Sequence, residues 1–305
     1  MNFTPLLPKD YQAYKPFFKN QKSRLCVYSL PSLIVWSNEL YHPYAAIRND
    51  ALIIFVESGI AEEKNHIIMP ITPGQDPGPE ELFTIAEESH CTQIRFVSEE
   101  YIQSAGPETV QSLFYVYEEP EFEDYVYRTQ DLAELKGNQY SKKRNLIHQF
   151  EKAWLKDDHV VIEPITSDKA DECLEFLEKW CEERGCDDID RQVDLACEKI
   201  AAVNAIEHID HIGMKGILMR VDGVVSAFGI ASHLTNTMGV LHFEKAFAAI
   251  KGLYQYFDRE CARRLFPDYR YINKESDMGM PGLAKAKKSY HPAMRIKSFK
   301  LVLKK

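Results

Sequence analysis

The chain has 305 residues, of which 45% are hydrophobic and 27% are charged, and its net charge is -9. This is the composition of a globular protein, and the length suits two domains of ordinary size or one large domain. The acidic balance excludes a general nucleic-acid-binding protein, whose surface would be basic, so we expect no DNA partner and only local contact with an RNA.

The cysteines and the first residues indicate a reduced compartment. Seven cysteines, an odd number, are scattered along the chain without the spacing of a disulfide framework. No basic segment followed by an apolar segment opens the sequence, and no apolar run approaches the roughly 20 residues that cross a bilayer. We therefore expect a cytoplasmic protein without stable membrane insertion.

In the first part of the chain, short apolar runs alternate with segments of helical periodicity. The strongest strand signal is the run Ala-Leu-Ile-Ile-Phe-Val-Glu at 51–57. Pro79 marks the start of a helix, where its missing N–H costs nothing. The predicted elements are a helix at 10–18, strands at 51–57 and 65–71, a helix at 79–89, a strand at 93–97, a helix at 99–104 and a strand at 113–117.

A basic cluster opens the long helix that is predicted from Tyr140. It follows an acidic run at 118–124 and a short helix that Thr129 could cap and Gly137 ends. The cluster consists of Lys142, Lys143 and Arg144, followed by Asn145. Cations near a helix N-terminus oppose the helix dipole, so the cluster indicates either pairing with the acidic run or a phosphate-binding site.

The second part of the chain has a clearer order of elements. They are a strand at 160–163, helices at 169–184 and 192–205, strands at 216–221, 224–232 and 236–246, a helix at 253–265, a strand at 269–272 and a final strand or strand pair at 294–303. The pair Asp222-Gly223 predicts a hairpin between the first two strands of the three-strand meander.

This is the element order of the GNAT-type acyltransferase fold, and the first part of the chain shows a shortened version of the same order. The sequence therefore predicts an α/β (α+β) fold with two tandem GNAT-like acyltransferase domains and mixed, mostly antiparallel sheets. We place the domains at 1–135 and 136–305. In such a fold the site opens where neighbouring strands of the sheet separate.

A polar segment follows the strand predicted at 269–272. Asn273, Glu275 and Asp277 alternate along it, and a glycine-containing turn leads into a Lys-rich helical segment. The acidic part offers groups that handle protons, and the lysines offer cations for a phosphate or an oxyanion. The alternative is a solvated turn after a strand. The histidines nearest to the expected cleft are His242 and His291.

Two common kinds of ligand site receive little support. The stretch at 244–252, where an acetyl-CoA-dependent member of the fold would bind pyrophosphate, contains one glycine. Cys181, Cys186, His208 and His211 lack the spacing of a common zinc site, and packing in a core explains Cys181 better. We therefore expect neither a metal nor a resident cofactor.

Four segments, at 124–132, 137–145, 251–255 and 273–292, resemble soluble bacterial relatives of the phosphatidylglycerol lysyltransferase C-terminal domain. The last is the most specific and reads Asn-Lys-Glu-x-Asp-x-Gly-x-x-Gly-Leu-x-Lys-Ala-Lys-x-Ser-Tyr-His-Pro. That family is similar to the Fem-type peptidyltransferases, with two tandem GNAT-like domains. The resemblance implies aminoacyl-tRNA as the donor of an aminoacyl group and an amine or a hydroxyl as the acceptor.

The resemblance also gives candidate residues for this transfer. Asn273, Glu275 and Asp277 fall on the polar motif after the strand, and Glu275 or Asp277 would be the base or the acceptor-orienting group. Glu244 on the neighbouring strand is a reserve, and Tyr290 would donate a proton. The candidates for binding phosphate or the oxyanion are Lys142, Lys143, Arg144, Asn145, Lys285 and Lys287.

Two departures limit what the resemblance implies. Ala284 stands where we expect an arginine, which puts one phosphate contact in doubt, and no membrane domain accompanies the motifs. Phosphatidylglycerol is therefore not the expected acceptor. The leading hypothesis is a cytoplasmic transferase that uses aminoacyl-tRNA, and it requires that the two basic segments, 142–144 and 285–288, meet Glu275 in one cleft. The alternatives are an acyl-CoA-dependent N-acyltransferase and a catalytically inactive GNAT-fold binding protein.

Overall fold

The computed structural model describes residues 1–156, 159–184 and 192–304. Its strands are β1 (Thr4–Pro5), β2 (Tyr41–Arg48), β3 (Ala51–Ser58), β4 (His66–Ile68), β5 (Gln93–Ser98), β6 (Phe114–Glu118), β7 (Asp124–Arg128), β8 (Val160–Pro164), β9 (Lys215–Val221), β10 (Val224–Thr235), β11 (Met238–Ala246), β12 (Tyr271–Asn273), β13 (Met294–Ile296) and β14 (Ser298–Leu303). Its helices are α1 (Tyr11–Tyr14), α2 (Leu30–Val35), α3 (Pro79–Glu88), α4 (Glu99–Ala105), α5 (Pro107–Leu113), α6 (Thr129–Glu134), α7 (Ser141–Trp154), α8 (Ala170–Arg184), α9 (Gln192–Glu207), α10 (Leu253–Leu265) and α11 (Pro281–Lys288).

The strands form two seven-stranded sheets with the same internal order. The first sheet runs β1-β2-β3-β4-β5-β14-β6, and the second runs β8-β9-β10-β11-β12-β7-β13. In each sheet the fourth and fifth strands pair in parallel, while the other neighbours pair antiparallel. The predicted fold, α+β with two tandem GNAT-like units and mixed, mostly antiparallel sheets, is confirmed.

The two sheets exchange one strand each. β7 belongs to the first part of the chain but pairs with β12 and β13 in the second sheet, whereas β14, from the last part, pairs with β5 and β6 in the first. Each sheet therefore contains strands from both sides of residue 135. The division into domains at 1–135 and 136–305 stays a prediction.

Local sequence accounts for most elements but not for all of them. Pro79 starts α3, and the turn at Asp222 and Gly223 joins β9 to β10 with positive φ at both residues. The helix expected at 10–18 is α1 with a short 3-10 turn on either side. The sequence does not predict β2, α5 or β7. Pro43 weakens the strand pattern of β2, since proline cannot donate to a sheet.

The second sheet is covered by apolar helices on both faces. Helix α2 is wholly buried in the large core that residues of both sheets share, and Trp36 beyond it stacks on Phe243 of β11 with ring centroids 6.5 Å apart. Helix α10 buries Leu253, Phe257 and Cys261 in a second core on this sheet. Burial of Leu253 and of Phe257 each stabilises the fold by roughly 1.5–3 kcal/mol.

The parallel pair of β11 and β12 opens at one end. Their pairing ends where Val240 lies opposite Asn273, although β11 continues as far as Ala246. Just beyond that pair a β-bulge leaves His242 without a partner in β10. Because a bulge redirects a side chain and bends the strand, polar groups of β11 are brought to the opening.

Candidate active site

At the opening, β11 and β12 are connected by side chains instead of backbone hydrogen bonds. Lys274 is the first residue after β12, and its Nζ lies 2.7 Å from Glu244 Oε2 of β11 and 2.8 Å from Asp258 Oδ1 of α10. Burial by itself would lower the Lys274 pKa, but the two carboxylates outweigh it and raise that pKa well above its usual value. Lys274 is therefore a fixed positive charge in the site.

Glu244 has an unused acceptor at this opening. Its side chain is 10% exposed, Lys274 occupies Oε2, and the buried Oε1 has no hydrogen-bond partner. Burial and the charge of Asp258 raise the Glu244 pKa to about 7, against the opposing effect of Lys274. A carboxyl group that titrates near neutral pH is well suited to accept and release a proton there.

Tyr290 forms another wall of the opening. Lys143 Nζ lies 3.8 Å from the centroid of its ring, and Lys274 Nζ lies 5.6 Å from it. Burial and the nearby Asp258 carboxylate raise the Tyr290 pKa well above its usual value, so the phenol stays protonated and can donate. Lys143 also donates to Ser289 Oγ at 2.8 Å, and burial lowers the Lys143 pKa.

Glu275 is attached to a buried chain of hydrogen bonds. His242 Nδ1 lies 2.8 Å from Glu275 Oε1, and His242 Nε2 lies 2.7 Å from Ser232 Oγ. Ser232 Oγ lies a further 2.7 Å from the hydroxyl of Ser29, which precedes α2. The His242 side chain is fully buried. The hydrogen bond between His242 Nδ1 and the Glu275 carboxyl group fixes the position of Glu275.

Asn273 organises the backbone of the polar segment. It is fully buried, and its Nδ2 donates to Asp124 Oδ2 at 2.8 Å and to the Arg24 carbonyl at 2.9 Å. Its Oδ1 accepts from the Glu275 backbone N–H at 2.7 Å. Burial raises the pKa of Asp124 to about 6, while hydrogen bonds from Asn273 and Cys26 oppose the shift. Asn273 therefore positions Glu275.

Asp277 and Lys287 are also bound within the protein. Asp277 is buried and accepts from the Tyr125 hydroxyl at 2.6 Å and from the Gly279 N–H at 3.0 Å. Lys287 Nζ donates to three consecutive backbone carbonyls, of which that of Glu275 lies at 3.1 Å. Burial lowers the Lys287 pKa. Lys287 holds the segment in a conformation in which Glu275 has a positive φ of 59°.

The predicted basic residues divide into two groups. Lys143 and Lys287 reach the opening. Lys142, Arg144, Asn145 and Lys285 are exposed on α7 and α11. Arg144 donates to the carbonyls of Leu135 and Gly137 and thereby caps the end of α6. One residue of each basic segment therefore lies beside the opening, Lys143 bound to Ser289 and Lys287 bound to backbone carbonyls. The phosphate-binding roles of all six residues stay predictions.

Sequence reasoning gave no role to several residues of the opening. Lys274 stands inside the polar motif, yet nothing in its local pattern shows that it bridges two carboxylates. The sequence does contain a sign that Asp258 is buried, because this carboxylate lies beside Phe257 on the apolar face of a predicted helix. For His242 the sequence indicates only a position near the cleft.

The cysteines and histidines weighed as a metal site do not form one in the part of the chain that the structure describes. No group of three or more potential ligands comes together there. Cys181 is buried in the large core, and Cys186 lies outside the described residues.

Two sheets of identical order, each with one parallel pair, and a polar opening in the second define a protein with the tandem GNAT-like acyltransferase fold. The family described as "Phosphatidylglycerol lysyltransferase, C-terminal" matches residues 20–301, and the chain belongs to it. The comparison with curated proteins gives no match.

Three solved structures are similar to this chain over nearly its whole length. A conserved protein of unknown function from Bacteroides thetaiotaomicron VPI-5482 is 27% identical, with all of both chains covered and a TM-score of 0.86. The C-terminal domain of a putative lysylphosphatidylglycerol synthetase from Agrobacterium fabrum is 13% identical, with 97% of this chain and 92% of that chain covered and a TM-score of 0.65. A tandem GNAT protein from the clavulanic acid biosynthesis pathway is 8% identical, with 98% and 97% covered and a TM-score of 0.47.

None of the helices in the described ranges is both long and apolar enough to cross a membrane.

Proposed function

We propose that the protein transfers an aminoacyl group from aminoacyl-tRNA to an acceptor amine or hydroxyl. Two findings support this proposal: the family to which the chain belongs, and the polar opening between β11 and β12. The observation that carries it is the unpartnered Oε1 of Glu244 in a carboxyl group whose pKa is raised to about 7. Because aminoacyl-tRNA is a cytoplasmic metabolite, the proposal also favours a cytoplasmic protein.

The chemistry needs little more than alignment and proton transfer, since the donor ester is already activated. The acceptor atom attacks the ester carbonyl and gives its proton to Glu244 Oε1. The bond between the carbonyl carbon and the ribose oxygen then breaks, and the leaving oxygen takes a proton from the Tyr290 hydroxyl. Tyr290 recovers a proton from Glu244, which restores both groups to their starting state. Lys274 and Lys143 stabilise the negative charge that develops on the carbonyl oxygen.

Glu275 and Asp277 take supporting parts in this proposal. Glu275 accepts from His242 and its side chain is 18% exposed, so it can orient an acceptor amine at the edge of the opening. Asp277 is occupied by Tyr125 and Gly279 and shapes the turn. Glu244, the reserve candidate of the sequence, becomes the preferred base because it alone of the three has a buried oxygen without a partner among the described residues.

The start of α10 favours aminoacyl-tRNA over an acyl-CoA donor. In an acyl-CoA enzyme of this fold, pyrophosphate would approach the backbone at this helix start. Here Gly252, with a positive φ of 83°, packs against α7 so closely that a Cβ atom would lie 2.1 Å from the Leu146 carbonyl oxygen. The backbone of α7 therefore occupies the space beside this glycine.

A donor comparison tests the proposal. The purified protein would receive radiolabelled aminoacyl-tRNA or radiolabelled acetyl-CoA in parallel, each with a fractionated cell extract as the source of acceptors. We expect label to move from aminoacyl-tRNA to a non-RNA product. Transfer from acetyl-CoA alone would refute the proposal, and transfer from neither donor would favour the inactive binding protein.

A further inference from the structure

A second, basic groove lies at the other end of β7 and β12 from the candidate active site. It has a volume of about 620 Å³ and is bounded by the start of α6 and the end of α10. Its lining includes Arg128, Gln130, Arg263, Tyr269 and Arg270, and none of the described residues that line it is acidic. In a chain of net charge -9, such a surface requires an explanation.

Two of the three arginines have no counter-charge in the described parts of the chain. Arg128 and Arg270 are exposed and form no ion pair there. Arg263 differs, because its Nη1 lies 3.1 Å from Glu260 Oε1 and its Nε donates to the Ala133 carbonyl. Elsewhere in the molecule Arg48 and Arg220 each bind two carboxylates. The groove therefore presents guanidinium groups that the protein does not neutralise.

We propose that this groove binds backbone phosphates of the RNA strand whose acylated end enters the candidate active site. The inference rests on the proposed function and adds the place where the donor is held. Guanidinium groups bind phosphate oxygens through two parallel hydrogen bonds. The half-buried ring of Tyr269 adds a surface on which an unpaired base can stack.

The groove and the active site are close enough for one strand to contact both. The Thr129 N–H donates to the Arg270 carbonyl at 3.1 Å, so β7 and β12 stay paired as far as the groove. Three residue steps along the chain lead from Arg270 in the groove to Asn273 at the end of β12, which corresponds to about 10 Å along the strand. On α10, one turn of about 6 Å separates Ala262 in the groove from Asp258 in the site. A few nucleotides of a single-stranded RNA end span such a distance.

An RNA-binding measurement tests the inference without depending on catalysis. The test variant combines Arg128→Gln with Arg270→Gln, and the control variant combines Lys19→Gln with Lys22→Gln, which removes two exposed charges from the first part of the chain. Fluorescence anisotropy with labelled, deacylated tRNA would be recorded over a series of salt concentrations. Thermal unfolding of each variant checks that it is folded.

We expect the arginine variant to bind about tenfold more weakly than the wild type and to lose about 1.4 from the slope of log affinity against log salt, because each single-strand phosphate contact contributes about 0.7. The control should bind as the wild type does. A folded arginine variant with wild-type affinity and slope would refute RNA binding in the groove. It would not contradict the proposal that aminoacyl-tRNA is the donor.

Two further outcomes separate this inference from the proposed function. If the wild-type protein binds no tRNA and transfers only from acetyl-CoA, both are overturned. If Arg128 and Arg270 instead control binding to anionic phosphatidylglycerol vesicles, with tRNA affinity unchanged in the variant, the groove binds a lipid headgroup and the RNA assignment is wrong.

Discussion

The equivalent openings of the two sheets are closed by different chemistry. In the first sheet, the parallel pair of β4 and β5 ends at Ile68 and Arg95. The hydroxyl of Tyr28 bridges the next position, accepting from the Met69 N–H at 3.1 Å and donating to the Phe96 carbonyl at 2.9 Å. The hydroxyl group of one side chain thus connects the ends of the two strands at the first opening.

The second opening is bridged by charges. At the same place in the second sheet, Lys274 meets Glu244 and Asp258, and Glu275 meets His242. Burying such charges costs stability unless they are paired, and one carboxylate oxygen is left without a partner. The same frame is therefore bridged by one phenol in the first unit and by a cluster of paired charges in the second, which is where we place the chemistry.

The largest effect is expected from Glu244→Gln in the second opening. The amide keeps the size of the side chain but cannot accept the acceptor's proton, so transfer from aminoacyl-tRNA should fall by about 10²–10⁴-fold. Tyr28→Phe, the matched change in the first opening, should leave the rate unchanged. Initial rates of product formation measure both, and a fully active Glu244→Gln enzyme would contradict the role of Glu244 as base.

Removing the central cation should cost stability next. Lys274→Met leaves two carboxylates buried without their partner, and we expect the free energy of unfolding to fall by about 3–5 kcal/mol. The control is Lys179→Met, which breaks an exposed pair with Glu175 on α8 and should cost about 0.3–0.5 kcal/mol. Urea denaturation gives both values. Equal losses of stability in the two variants would mean that Lys274 does not compensate the buried charges of Glu244 and Asp258.

The contributions of the two openings to the free energy of unfolding should also change with pH in opposite directions. Burial lowers the pKa of His66, beside the first opening, from 6.5 to about 3, so the unfolded chain binds more protons there and the His66 contribution to stability grows as pH rises through that range. The Glu244 pKa is raised from 4.5 to about 7, so the folded protein binds more protons and the Glu244 contribution is lost as pH rises through that range.

Single variants separate these two contributions. In the wild type, Glu244 should lower the free energy of unfolding by at most about 3 kcal/mol as the pH rises from 4.5 to about 7, and Glu244→Gln should abolish this fall. His66→Gln should abolish the rise that His66 causes between pH values of about 3 and 6.5. Urea denaturation at a series of pH values measures both. If Glu244→Gln leaves the pH profile unchanged, its pKa is not raised in the folded protein.

The smallest effect is expected from Tyr28→Phe on stability. Loss of the bridging hydroxyl leaves the Met69 N–H and the Phe96 carbonyl without their partner, at a cost of about 1–3 kcal/mol. Hydrogen exchange at the Met69 amide should accelerate accordingly. An unchanged exchange rate would show that this phenol does not hold the first opening closed.

Local patterns in the sequence predict the elements well because those patterns report on nearest neighbours. The apolar run of β3, Pro79 at the start of α3 and the Asp222-Gly223 turn each carry their own signal. β7 carries little, since its place in the second sheet is set by partners in β12 and β13 far along the chain. The exchange of strands is therefore a property of pairing that no single segment shows.

For the same reason the sequence predicts the candidate site only in outline. The polar motif after β12 lies at the end of the sheet where β11 and β12 separate, but the partners of each side chain come from distant segments. Arg144 has the chemistry of a phosphate ligand, and the structure shows it bound to the carbonyls at the end of α6. The role of His242 depends on a bulge, which a sequence of alternating residues does not reveal.

The exchange of β7 and β14 also sets an order for folding during synthesis. β14 lies between β5 and β6, so the first sheet keeps a gap next to its fifth strand until residues 298–303 have been made. β7, in contrast, emerges from the ribosome before any other strand of the second sheet and must wait for β12 and β13. Pairing between such distant segments is slow, and a nascent chain that stalls before β14 exposes two unpaired strand edges, which are sites for aggregation or for binding by a chaperone.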